Sequence, residues 1–90
     1  MHNEHGWKEV TDDGEKREVR AVKFGGKWSV QSRLKGDERW TYHDPIPFAD
    51  LVTLHDVLFR KYQRRRAAVE DVDLIARMIE ERQAEGESVP

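Results

Sequence analysis

The clearest pattern in the chain runs from Lys27 to Leu34 (KWSVQSRL), where apolar and polar residues alternate with period two. That is the period of an extended strand, whose successive side chains point to opposite faces. Trp28, Val30 and Leu34 fall on one face, and Lys27, Ser29, Gln31, Arg33 and Lys35 on the other. Upstream, Arg17 to Phe24 (REVRAVKF) is a second β-type run, and Gly25-Gly26 supplies the tight hairpin turn between the two. Downstream, Lys35-Gly36-Asp37 turns the chain into Arg39 to His43 (RWTYH). Here the alternation assigns Trp40 and Tyr42 to the apolar face and Arg39, Thr41 and His43 to the polar one. Trp7 to Thr11, followed by the turn triplet Asp12-Asp13-Gly14, is a candidate for a further strand. The first half of the chain thus predicts a three- or four-stranded antiparallel β-meander over about residues 7–43.

Two prolines in Asp44-Pro45-Ile46-Pro47 end the sheet by removing donors and restricting the residues before them. From Phe48 the period changes. At about 100° per residue, Phe48, Leu51, Val52, His55, Leu58, Phe59 and Tyr62 form one helical stripe, with Leu54 and Val57 outside it and Asp50, Thr53, Asp56, Arg60 and Arg64 opposite. Val72, Ile75, Met78 and Ile79 form a second stripe, rotated by roughly 140° from the first. One straight helix would have to bury two different faces, so the phase predicts an interruption near Ala67 to Val69, although neither Gly nor Pro stands there. Charge agrees. Arg60, Lys61, Arg64, Arg65 and Arg66 suit a helix C-terminus, and Glu70, Asp71 and Asp73 suit an N-terminus. The expectation is a single α+β domain over residues 1–90, with the sheet followed by helices at about 48–66 and 71–85 and short disordered ends. Residues 67–71 form either a hairpin turn or a bend. The predicted core is Val22, Phe24, Trp28, Val30, Leu34, Trp40, Tyr42, Leu51, Val52, Leu58, Phe59 and Tyr62.

Composition narrows the chemistry. Three Trp, three Phe and two Tyr supply core material to a chain that is 38% charged, so a fold is expected rather than disorder. The absence of cysteine excludes disulfides, thiolate nucleophiles and sulfur-ligated metals. No stretch approaches the roughly 20 apolar residues that cross a bilayer, and Met1 to Trp7 lacks an apolar signal core; the expected address is the cytoplasm. No two histidines stand at helical metal-ligand spacing, and there is no HExxH, EF-hand or glycine-rich phosphate loop. His2 and His5 fall in an end expected to be loose, His55 reads as a core or interfacial residue, and His43-Asp44 lacks a positioned nucleophile. Ser29, Ser32 and Ser88 have no nucleophile-elbow context. These readings argue against an enzyme, a cofactor, a bound metal or a small-molecule substrate.

The net charge of -2 hides an uneven distribution. Residues 16–66 hold 13 Lys and Arg against 6 Asp and Glu, whereas residues 1–15 hold 1 against 5 and residues 67–90 hold 2 against 7. Two candidate surfaces follow. The broad apolar surface Val72, Leu74, Ile75, Met78 and Ile79 on the second helix is the expected interface of a non-enzymatic assembly module that forms a homo-oligomer or binds a protein partner. The alternative is nucleic-acid binding by the basic sheet face Lys27, Ser29, Gln31, Arg33, Arg39, Thr41 and His43, with Arg64, Arg65 and Arg66 as phosphate clamps. A simpler account of that face is that any solvent-facing sheet surface alternates to polar.

Gly26-Lys27-Trp28, the alternation after it, Arg39-Trp40 and the following amphipathic helix resemble the layout of plant AP2-type and recombinase arm-binding domains over about residues 19–62. The resemblance implies a three-stranded sheet whose exposed face enters the major groove while a helix covers the other. The chain departs from the AP2 pattern in its Leu, Val and Phe helix residues, its acidic tails and its second helix.

Overall fold

The computed structural model describes residues 4–87 and shows an α+β fold, a four-stranded antiparallel sheet followed by two helices. The strands are β1 (Glu4–Val10), β2 (Lys16–Phe24), β3 (Lys27–Leu34) and β4 (Thr41–His43), paired in the order β1-β2-β3-β4, and the helices are α1 (Phe48–Gln63) and α2 (Val69–Ala84). The chain divides into two compact units, one holding the sheet to Pro45 and the other, from Ile46 onward, holding both helices.

In the sheet unit, hairpin length decides which residues share a face. Gly25 and Gly26, at φ 59° and 77°, make the two-residue turn between β2 and β3. Phe24 then pairs with Lys27, Ala21 with Val30, and Val19 with Ser32. An even-numbered residue of β3 always meets an odd-numbered one of β2, so Val19 and Ala21 join Trp28 and Val30 on the buried face. His5 of β1 pairs with Ala21 on that same face and is only 2% exposed. Its ring centroid lies 5.8 Å from that of Trp28. His5 is therefore a core residue of a strand that starts earlier than its apolar pattern indicates, not part of a loose end; His2 lies outside the described residues.

The same parity corrects the predicted core. Val22 and Phe24 face the other way, and Phe24 is 86% exposed. β4 is shorter than Arg39 to His43, and it pairs Gln31 with Tyr42, Ser32 with Thr41 and Val30 with His43. Tyr42 therefore shares the outer face with Gln31, is 70% exposed, and is not core. Leu34 is also exposed at the end of β3.

In the helical unit α1 and α2 pack against each other as a hairpin. The buried apolar residues are Ile46, Phe48, Leu51, Leu54 and Leu58 in and before α1, and Val72 and Ile75 on α2. Leu54, outside the predicted stripe, is 0% exposed, whereas Val52, Phe59 and Tyr62 lie on the surface. The buried face of α1 is thus turned by roughly 70° from the predicted one on the helical wheel. The wheel counted Val52, Phe59 and Tyr62 in the stripe and left out Leu54, and so drew its centre away from the three leucines.

Each helix has an acidic residue in the third position of its first turn, Asp50 in α1 and Asp71 in α2, and both are buried where the helix dipole favours a carboxylate. Both helices end in the same way. In α2 the Glu87 amide donates to the Arg82 carbonyl and the Gly86 amide to the Gln83 carbonyl, with Gly86 at φ 96°. In α1 the Arg66 amide donates to Lys61 at 2.7 Å and the Arg65 amide to Tyr62 at 2.9 Å, with Arg65 at φ 58°. Both are Schellman closures, and α1 makes its own with arginine in the left-handed position that glycine usually takes. The interruption is a turn over residues 64–68, not a bend within one helix.

Candidate interaction surfaces

The outer face of the sheet is built by the even-numbered residues of β1, β2 and β4 and the odd-numbered residues of β3. Reading across the ladders, Lys8, Glu18 and Arg33 form one row, and Gly6, Arg20, Gln31 and Tyr42 the next. Trp40, just before β4, continues that parity and lies on the same face. Its ring centroid is 4.5 Å from the Arg20 guanidinium carbon and 4.6 Å from that of Arg33. Guanidinium groups so placed are held by the negative face of the indole. Both arginines also have carboxylate partners, Arg20 with Glu4 at 3.6 Å and Arg33 with Glu18 at 3.5 Å. With its amide oriented to satisfy both donors, Gln31 accepts from Arg20 Nε at 3.1 Å and Nη2 at 2.8 Å. Trp40 thereby fastens the connection between β3 and β4 to the outer face.

This arrangement splits the predicted polar surface. Lys27, Ser29, Gln31 and Arg33 do share a face. Thr41 and His43 sit on the opposite one, where Ser32 Oγ lies 2.6 Å from His43 Nε2. Arg39 is exposed in the connection before β4, and Gln31 is buried and committed to Arg20. Arg64, Arg65 and Arg66 belong to the turn after α1 in the helical unit, all exposed. An open groove of about 330 Å³ crosses the outer face over Gly6, flanked by Lys8, Glu18, Arg20 and Trp40. A Cβ at Gly6 would meet only the Val19 carbonyl oxygen at 3.5 Å, an ordinary contact, so packing alone does not require glycine there.

In the helical unit, the predicted interface on α2 divides. Val72 and Ile75 are buried, and Leu74, Met78 and Ile79 are half-buried. The exposed apolar stripe lies instead on α1, where Val52, Phe59 and Tyr62 surround a half-buried His55. The His55 and Phe59 rings stack at 6.3 Å with an 8° interplanar angle. Asp56 and Arg60 form an ion pair at 3.1 Å along its outer flank. The hydrophobic periodicity marked these residues, but as core.

Among the described residues no three His, Asp or Glu side chains converge as a metal site would require, and no helix is long and apolar enough to cross a membrane. The chain matches no family model, no curated protein and no solved structure.

Proposed function

We propose that the protein is a small non-enzymatic assembly module whose helical hairpin binds a second copy of itself through the outer face of α1. The observation that carries this reading is the stripe of exposed Val52, Phe59 and Tyr62 around the half-buried His55. Two large rings and a valine left in water on one helical face are a contiguous apolar surface, not scattered exposure.

Self-complementarity selects a second copy as the partner. The stripe has the same spacing in both directions about Val57: Val52 and Tyr62 lie five residues to either side, and His55 and Phe59 two. Two antiparallel copies of α1 related by a two-fold axis set Val52 against Tyr62 and His55 against Phe59, as an isologous interface requires. Asp56 and Arg60 flank the stripe on one side, and the same two-fold brings each beside the opposite charge of the other copy. The candidate surface thus moves from α2 to α1 while the self-association reading is kept.

Light scattering behind size exclusion on the full chain tests this. The expected result is a dimer that Phe59→Asp converts to a monomer of unchanged helical circular dichroism. Asp56→Arg alone should weaken the dimer, and the swap Asp56→Arg with Arg60→Asp should restore it. A monomeric wild-type chain at its highest soluble concentration, or a dimer indifferent to Phe59→Asp, overturns the proposal.

A further inference from the structure

The outer face of the sheet carries two rings that packing does not use. Phe24 stands at the Gly25-Gly26 turn and Tyr42 on β4, and these are the two most exposed aromatic side chains among the described residues. The strand ladders place both on one face, Phe24 opposite Lys27 and Tyr42 opposite Gln31. Trp40 shares that face, but its ring is engaged by Arg20 and Arg33.

Charge on this face is unbalanced in one direction. Its strand residues include Lys8, Lys16, Arg20, Lys27 and Arg33 against Glu4 and Glu18. Both carboxylates are taken by the two arginines. Lys8, Lys16 and Lys27 have no ion-pair partner among the described residues; Lys8 lines the groove over Gly6, Lys27 lies beside Phe24, and Lys16 lies at the other end of β2, opposite Val10.

We infer that this face binds single-stranded nucleic acid, with bases stacked on Phe24 and Tyr42 and phosphates held by Lys8, Lys16 and Lys27. Exposed rings interleaved with unpaired lysines are the two components of a strand-binding surface, since every base offers a flat π-face and every phosphate a negative charge. Duplex fits less well. Its bases are already stacked on one another, so the two rings have no flat base faces to meet. Gln31, the side chain on this face best suited to read a base edge, is committed to Arg20. Phe24 on β2 and Tyr42 on β4 lie four residues apart along the strands and two strands apart across them, roughly 16 Å at the strand rise and spacing, a span a flexible strand bridges without regular helical geometry.

The test is fluorescence anisotropy of the full-length protein with a labelled single-stranded oligonucleotide of mixed sequence. A duplex of the same sequence serves as competitor, and vesicles containing phosphatidylserine form a separate arm. The expected result is binding to the single strand in preference to both. Phe24→Ser and Tyr42→Ser should each weaken it by about tenfold, within the range for losing one stacked base. Lys8→Ala and Lys27→Ala should each lower the slope of log affinity against log salt by about 0.7. These four side chains are on the surface, so circular dichroism of each variant should match the wild type, and Phe59→Asp in the helical unit should leave binding unchanged. No binding at low salt, Phe24 and Tyr42 variants that bind as tightly as the wild type, or a preference for duplex or vesicles overturns the inference.

Discussion

Gln31 and Tyr42 stand directly opposite one another across β3 and β4. That single pairing sends Trp40 and Tyr42 to the outer face beside Arg20 and Arg33, and sends Thr41 and His43 to the inner one. A slip of one residue would exchange the two sets, because side chains alternate with period two.

The inner consequence of this register is the bond between Ser32 Oγ and His43 Nε2, at 2.6 Å with Ser32 buried. Removing the hydroxyl leaves the ring nitrogen without this partner. Ser32→Ala is expected to lower unfolding free energy by about 1–2 kcal/mol, the cost of a broken, largely buried hydrogen bond. Urea denaturation followed by circular dichroism measures it; a change near zero would mean that β4 is not held in this register.

On the outer face the register makes Trp40 the anchor of the β3–β4 connection. Each guanidinium on its ring contributes about 0.5–1 kcal/mol at a partly exposed site. Trp40→Ala should therefore cost at least about 1–2 kcal/mol. Trp40→Phe, which keeps a weaker aromatic face, should recover part of that cost. If both variants are as stable as wild type in chemical denaturation, the ring does not fasten this connection.

Rotation of the buried face of α1 separates two residues that periodicity alone treats in the opposite sense. Leu54 is fully buried, and Leu54→Ala should cost about 2–5 kcal/mol through lost burial and the cavity left behind. Phe59 is exposed, and Phe59→Ser should change monomer stability by no more than about 0.5 kcal/mol, as for an ordinary surface substitution. Thermal melts of the two variants at protein concentrations low enough to keep the chain monomeric would show the reverse order if the helix buried its predicted stripe.

The turn between the helices is made by residues that do not favour it. Arg65 occupies left-handed backbone, which costs a non-glycine residue about 1–2 kcal/mol, while glycine loses about 0.5–1 kcal/mol more chain entropy on folding. Arg65→Gly should thus stabilise the helical unit by about 0.5–1 kcal/mol net. Ala68 precedes α2 with extended backbone at φ -82°, ψ 144° and makes no side-chain cap. Ala68→Ser should add about 1 kcal/mol by accepting a bond from an otherwise unpaired first-turn amide. Each variant should raise the melting temperature by several degrees; a fall for Arg65→Gly would show that the Arg65 side chain contributes more than its backbone costs.

Much of the architecture was legible without coordinates. Alternation over Lys27 to Leu34 and the two-glycine turn before it located β2 and β3, the prolines located the end of the sheet, and the phase shift between two apolar stripes located the interruption between α1 and α2. The Gly25-Gly26 turn even contained the parity that places Val19 and Ala21 with Val30, because a two-residue loop pairs odd positions with even ones. That signal was present in the sequence but was outweighed by the bulk of Val22 and Phe24. The β3–β4 connection gave no comparable signal. Residues 35–40 form a loop whose length permits more than one register, so the face of Tyr42 could not be read from its own alternation.

The sequence by itself determined where the chain extends, turns and coils, since those choices depend on neighbours two to four residues away. Which face of each element is buried was settled by the tertiary structure. Pairing Gln31 with Tyr42, laying Trp40 over two arginines and turning α1 onto Leu51, Leu54 and Leu58 each depend on contacts between side chains far apart in the chain. The physical reason is that rotating a helix or slipping a strand leaves local propensity unchanged and alters only what the side chains meet.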